Sequence, residues 1–178
     1  LFVGTKKQAR DIIKKYADAA SVPYVIDRWL GGTITNFSVI RKLVDTYVGL
    51  KEKKAKGDLE KYTKKEQLDF EREIGRLHEL VGGLERLTKV PDILYIWDIR
   101  VEDTALREAK RKKIPIVAVC DTNVRPDGVT HIIPANDDAT KSVELISQLV
   151  SEAIQEGRAE KPVVQPQAPA STPDPMTL

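Results

Sequence analysis

One cysteine, one methionine, two histidines and two tryptophans in 178 residues leave little material for several common chemistries. Cys120 alone makes an intrachain disulfide framework impossible, which favours a reducing compartment, and its place in the apolar run 116–120 suits a buried, inert thiol. His78 lies among Leu77, Glu79 and Leu80, and His131 opens an apolar stretch. Neither has a second His or Cys at ligand spacing, so no metal site is expected. The chain has neither the glycine-rich phosphate loop ending in Gly-Lys-Ser/Thr nor the Gly-x-Gly-x-x-Gly dinucleotide turn, and no nucleophile stands beside a base. No apolar run approaches the roughly 18 residues that span a bilayer, and no signal-peptide pattern opens the sequence. A soluble, cytoplasmic protein without cofactor, metal or small-molecule substrate is the expectation.

Against these absences stands the segment Arg28-Trp29-Leu30-Gly31-Gly32-Thr33-Ile34-Thr35-Asn36-Phe37. Paired glycines permit positive φ and close approach of another backbone, and Thr33 or Thr35 could cap the helix that follows. A free helix N-terminus beside Arg28 would favour a phosphate. Trp29 and Phe37 read equally well as anchors in a core.

Charge is divided unevenly. Residues 1–65 hold 15 Lys and Arg against 7 Asp and Glu, whereas residues 66–160 hold 13 against 19. One part of the molecule is thus suited to a polyanion and another is not, although a solvated, locally paired surface would give the same count.

Apolar runs at 1–4, 23–27, 93–98, 114–121 and 131–134 read as strands, with helical patterns at 9–20, 103–112 and 138–156. Runs that are continuous instead of alternating indicate burial on both faces, and helices between them indicate parallel crossovers. The expected fold is α/β: a flavodoxin-like, doubly wound parallel sheet in three layers. A strand that starts at residue 1 suggests that a first strand and helix are missing. Between 34 and 87, Phe37, Ile40, Val44 and Tyr47, then Phe70, Ile74, Leu77, Val81 and Leu84, follow a heptad seam on two helices. Residues 51–65 carry seven lysines, with Gly57-Asp58 as the turn. The expected division is therefore a sheet domain from 1–33 and 88–160, a protruding coiled-coil hairpin over 34–87 with a basic tip, and a disordered Pro-rich tail over 161–178 that holds five of the ten prolines.

Ligands of such sheets bind at the carboxyl ends of the strands. Here those ends carry Gly4-Thr5-Lys6-Lys7, Asp98-Ile99-Arg100 and Asp121-Thr122-Asn123. Asp98 invites comparison with the phospho-acceptor of a receiver domain, but no lysine follows the last strand to serve as counter-charge. Asn136-Asp137-Asp138 reads as a helix cap.

Several blocks in order resemble the bacterial-type ribosomal protein S2 family: Leu1-Phe2-Val3-Gly4-Thr5-Lys6-Lys7-Gln8-Ala9, Arg28-Trp29-Leu30-Gly31-Gly32 with Thr35-Asn36-Phe37, Pro91-Asp92-Ile93-Leu94, Arg107-Glu108-Ala109, Asp121-Thr122-Asn123 and Pro134-Ala135-Asn136-Asp137-Asp138. Ala135 stands where the family usually has glycine. The resemblance implies a non-catalytic constituent of the small ribosomal subunit, in a bacterial or organellar ribosome. It further implies binding to small-subunit rRNA and to other small-subunit proteins, ribosomal protein S1 among them. Carried over by position, the RNA-binding residues are Lys6, Lys7, Arg28, Trp29, Gly31, Gly32, Thr35, Asn36, Arg41 and Lys42, with Trp29 either stacking on RNA or bracing its loop. Arg28→Ala combined with Lys6→Ala is expected to weaken assembly and spare the fold. The alternatives are a flavodoxin-like receiver or nucleotide-binding module, and a hairpin adaptor that binds proteins only.

Overall fold

Alternation along each strand sends neighbouring side chains to opposite faces, and that alternation builds two cores. In the computed structural model, which describes residues 1–160, Val3, Leu94, Ile96, Ile116 and Ala118 join one cluster. Phe2, Tyr95, Trp97 and Val119 join the other. The strands are β1 (Phe2–Val3), β2 (Tyr24–Val25), β3 (Leu94–Trp97), β4 (Ile116–Cys120) and β5 (His131–Pro134). All neighbours pair in parallel in the order β2-β1-β3-β4-β5, the doubly wound arrangement of flavodoxin. The proposed tail over 161–178 lies outside the described residues.

The first cluster is covered by α2 (Phe37–Ala55), α3 (Lys64–Val81) and α4 (Asp103–Arg111), which contribute Ile40, Val44, Leu77, Val81, Ala105 and Ala109. The second is covered by α1 (Arg10–Ala19) and α5 (Thr140–Ala159) through Ile13, Ala17 and Val143. Ser147 is buried with its hydroxyl 3.5 Å from that of Tyr95 on β3, and Ser151 is buried where α5 meets α1, its hydroxyl donating to the Tyr16 carbonyl at 3.0 Å. Polar side chains small enough to hydrogen-bond a neighbouring backbone suit a close helix pair.

The heptad seam lies where α2 runs against α3: Ile40, Val44 and Tyr47 face Leu77, Val81 and Leu84, all buried. Gly57 turns the chain with φ +74°. Thr63 and Glu66 start α3 with a reciprocal capping box. The Tyr47 hydroxyl meets His78 Nδ1 at 2.8 Å across the seam. Tyr47→Phe removes the hydroxyl and that bond and is expected to lower the unfolding free energy by about 1 kcal/mol in a urea titration.

Two local expectations change. Among the described residues β5 pairs on one side only, with β4, and Ile132 is 48% exposed instead of buried on both faces. Helix α5 starts at Thr140 and takes no side-chain cap from the Asn-Asp-Asp run. Asn136 Oδ1 instead accepts from the Asp138 and Ala139 amides in an Asx turn, which leaves Asp137 facing inward.

Candidate nucleic-acid interface

Eight of the ten residues expected to meet RNA fall on two loops at the carboxyl ends of β1 and β2, adjacent strands of the sheet, and Arg41 and Lys42 lie in the first turns of α2. Arg10 ties the two loops together: its Nε donates to the Thr5 carbonyl at 2.9 Å, and its guanidinium pairs with Asp27 at 3.4 Å.

After β2 the chain folds back on itself between Arg28 and Asn36. Thr33 donates from both its amide and its hydroxyl to the Leu30 carbonyl, at 3.1 and 2.7 Å. Gly32 has φ +95°, in the left-handed region that favours glycine. Those bonds turn the amides of Gly32, Ile34 and Thr35 toward a single point. That point is the carboxylate of Glu108, which α4 supplies. Glu108 Oε1 accepts from Trp29 Nε1 at 3.1 Å and the Gly32 amide at 2.7 Å. Its Oε2 accepts from the amides of Ile34 and Thr35, both at 3.0 Å, and from the Thr35 hydroxyl at 3.1 Å. Burial pushes the Glu108 carboxyl up, but the donors from Thr35, Gly32, Ile34 and Trp29 outweigh it and hold the group below the usual carboxylate range.

The structure therefore alters two readings of this loop. The amides that converge in the turn before α2, those of Gly32, Ile34 and Thr35, are engaged by an internal carboxylate and not open to a phosphate, and neither threonine caps α2. Trp29 is 8% exposed, packs in the first core cluster, and braces the loop through its indole N–H. Arg28, Gly31, Asn36, Lys42 and Lys7 are exposed. Arg41 donates to the Leu87 carbonyl at 3.0 Å and pairs with Asp45 at 2.6 Å, which ties α2 to the segment leading to β3.

Lys6 is held differently from Lys7. Its ammonium meets Asp98 Oδ2 at 3.1 Å, Asp137 Oδ1 at 2.9 Å and Asp138 Oδ1 at 2.6 Å, and the Asp98 and Asp137 side chains are almost wholly buried. Burial alone would pull the Lys6 pKa down, but its bonds to Asp138, Asp137 and Asp98 raise it. Asp98 has φ +65° just after β3, and its Oδ1 accepts the Arg100 amide at 2.9 Å. Trp97 Nε1 donates to the Asp137 carbonyl at 2.9 Å, and the Thr5 amide donates to buried Glu102 at 2.7 Å. This cluster binds the ends of β1 and β3 to the turn before α5. Its lysine comes from the loop after β1, not from beyond the last strand, and Asp98 Oδ2 accepts from Lys6 while Oδ1 accepts from the Arg100 amide.

In the sequence Glu108 stands only within the matching block Arg107-Glu108-Ala109 and has no site role, although a signal for one exists. It occupies a position on the apolar stripe of α4 set by Ala105, Leu106 and Ala109, where a carboxylate needs a built partner. Among the described residues, no group of three or more His, Cys, Asp or Glu could hold a metal ion. An apolar cavity of about 610 Å³, lined by residues such as Leu1, Val22, Leu87 and Ile154, opens at the opposite, amino ends of the strands.

A family model described as Ribosomal protein S2 matches residues 1–157. The chain is 48% identical over 159 residues to the small ribosomal subunit protein uS2 of Wolinella succinogenes, covering 89% of the chain and 59% of that protein. It is 44% identical over 169 residues to the protein of that name from Fusobacterium nucleatum, covering 94% and 68%, and 43% identical over 161 residues to that of Salinibacter ruber, covering 90% and 50%. The chain thus spans between half and about two thirds of the length of these relatives.

Proposed function

The chain belongs to the ribosomal protein S2 family, and from that membership we propose that it is a non-catalytic constituent of the small ribosomal subunit, in a bacterial cytoplasm, that binds small-subunit rRNA and neighbouring ribosomal proteins. The observation that carries the RNA reading is the placement of exposed Lys7, Arg28, Gly31, Asn36 and Lys42 on and beside a loop made rigid from within. Lysine and arginine meet phosphates, Gly31 admits a backbone, and Asn36 offers both a donor and an acceptor. Lys6, Trp29, Gly32, Thr35 and Arg41 serve the same surface as its framework, since their polar groups are engaged internally. The basic first third of the sequence supports the same partner. The residues of 34–87 form an arm beside the sheet body, and ribosomal protein S1 is the protein neighbour that the family resemblance suggests.

Cosedimentation with small subunits at rising salt tests this reading. Release by salt is expected, and retention that ignores both salt and ribonuclease would support the adaptor that binds proteins only. Arg28→Ala is expected to weaken rRNA binding and to lower the slope of log affinity against log salt by about 1, without changing thermal stability. Unchanged affinity and slope in filter binding would remove Arg28 from the interface.

A further inference from the structure

We propose that Glu108 is the positioning residue of the RNA-facing loop: its carboxylate is a built-in ligand that fills the amide nest of residues 32–35 and thereby fixes how Arg28, Gly31 and Asn36 are presented. The inference rests on the rRNA reading above. Five donors, three of them backbone amides, converge on this one group at 2.7–3.1 Å. A cluster of amides in this geometry binds anions. In this fold the anion is covalently part of α4, whose Ala105 and Ala109 are embedded in the core. The loop is thus referenced to the sheet and not merely to its own backbone.

Two consequences follow. An RNA phosphate cannot take these amides while Glu108 holds them, so recognition falls to outward side chains and to the exposed Gly31 backbone. The nest also requires an acceptor at both oxygens. In Glu108→Gln one end becomes an NH2 group. Whichever way it is turned, it sets a donor against either Trp29 and Gly32 or Ile34 and Thr35.

The test uses the full chain with small-subunit rRNA in filter binding at constant ionic strength. Glu108→Gln is expected to weaken binding about tenfold or more, the scale of one or two buried donors left unpaired. It should also move the indole N–H resonance of Trp29, assigned against Trp29→Phe. Glu108→Ala empties the nest, and acetate should then restore rRNA affinity in a saturable way where chloride at equal ionic strength does not. If Glu108→Ala does not fold unaided, acetate-dependent recovery of the native spectrum is the expected equivalent. Glu108→Gln binding like wild type, or rescue of Glu108→Ala that is absent or equal with chloride, would overturn the positioning role. Wild-type protein that shows no salt-sensitive affinity for small-subunit rRNA would instead overturn the parent reading, while the acetate dependence of folding would still report on the nest.

Discussion

Lys6→Ala is expected to cost about 3–5 kcal/mol of folding free energy near neutral pH, the scale for breaking a buried ion pair by removing one partner. The loss is not that of a surface salt bridge. The Lys6 side chain is 13% exposed, and it neutralises Asp98 and Asp137, whose side chains are 0% and 1% exposed. Among the described residues one oxygen of Asp137, Oδ2, has no hydrogen-bond partner. Without the ammonium, two adjacent buried carboxylates would have to be ionised together or take up a proton. Burial and the neighbouring Asp98 already push the Asp137 carboxyl up against the pull of Lys6, and removing Lys6 raises it further.

The sign of the pH dependence follows from that direction. A carboxyl whose folded pKa lies above its unfolded value, about 3.9, binds more protons in the folded than in the unfolded state across the interval between the two. Folding is therefore favoured as pH falls through that interval. The variant should regain stability on going from pH 7.5 toward pH 5, relative to wild type. Urea titrations at several pH values measure this, and Lys6→Met separates loss of charge from loss of packing by the stem. A loss under about 1 kcal/mol with no pH dependence would refute the argument. Combining Lys6→Ala with Arg28→Ala would damage the fold as well as the interface, contrary to what the sequence led us to expect, so Arg28 must be tested alone.

What could be read in the sequence and what could not divide along one physical line. The strands at 93–98 and 114–121, the crossover helices and the seam through Val44, Tyr47, Leu77 and Val81 announce themselves by periodicity, because each is a local pattern tied to burial. The Arg-Trp-Leu-Gly-Gly segment was recognisable as unusual for its glycines and its tryptophan. Its partner was not recognisable, because Glu108 is 79 residues from Trp29 and only the packing of α4 brings them together. Lys6 reads as a free cation for the same reason: its three aspartates lie 92 or more residues away. Periodicity reports which face of an element is buried, but it does not report which charged side chains meet once the faces are buried. The proposed RNA-facing surface depends on that second kind of information. The residues left pointing outward, Arg28, Gly31, Asn36, Lys7 and Lys42, emerge only after the internal partners of their neighbours are known.

Gly83→Ala should be the most damaging change at the base of the helical pair, and Gly82→Ala next to it a mild one. Neither glycine has positive φ, so the difference is steric, not conformational. They form a short 3₁₀ turn, Gly82–Leu84, that ends α3 and packs against β2. A Cβ on Gly83 would stand 2.2 Å from the carbonyl oxygen of Tyr24 and 2.5 Å from its ring. That carbonyl belongs to strand β2, whose backbone is fixed by pairing to β1, so the strand cannot withdraw without breaking the sheet edge. The turn must move instead, and with it Leu84, which is 1% exposed in the core between α2, α3 and the sheet. A cost above about 3 kcal/mol is expected, at the upper end of what overpacking produces. The three atoms nearest a Cβ on Gly82 all belong to the ring of His78, the first at 2.6 Å. That ring is exposed and can rotate away at the expense of its bond to the Tyr47 hydroxyl. The loss of about 1 kcal/mol is then offset in part by the better helix propensity of alanine. Thermal melts and urea titrations of the two single variants decide the matter, and equal stability of the pair would show that β2 and the 3₁₀ turn do not fix the position of the hairpin.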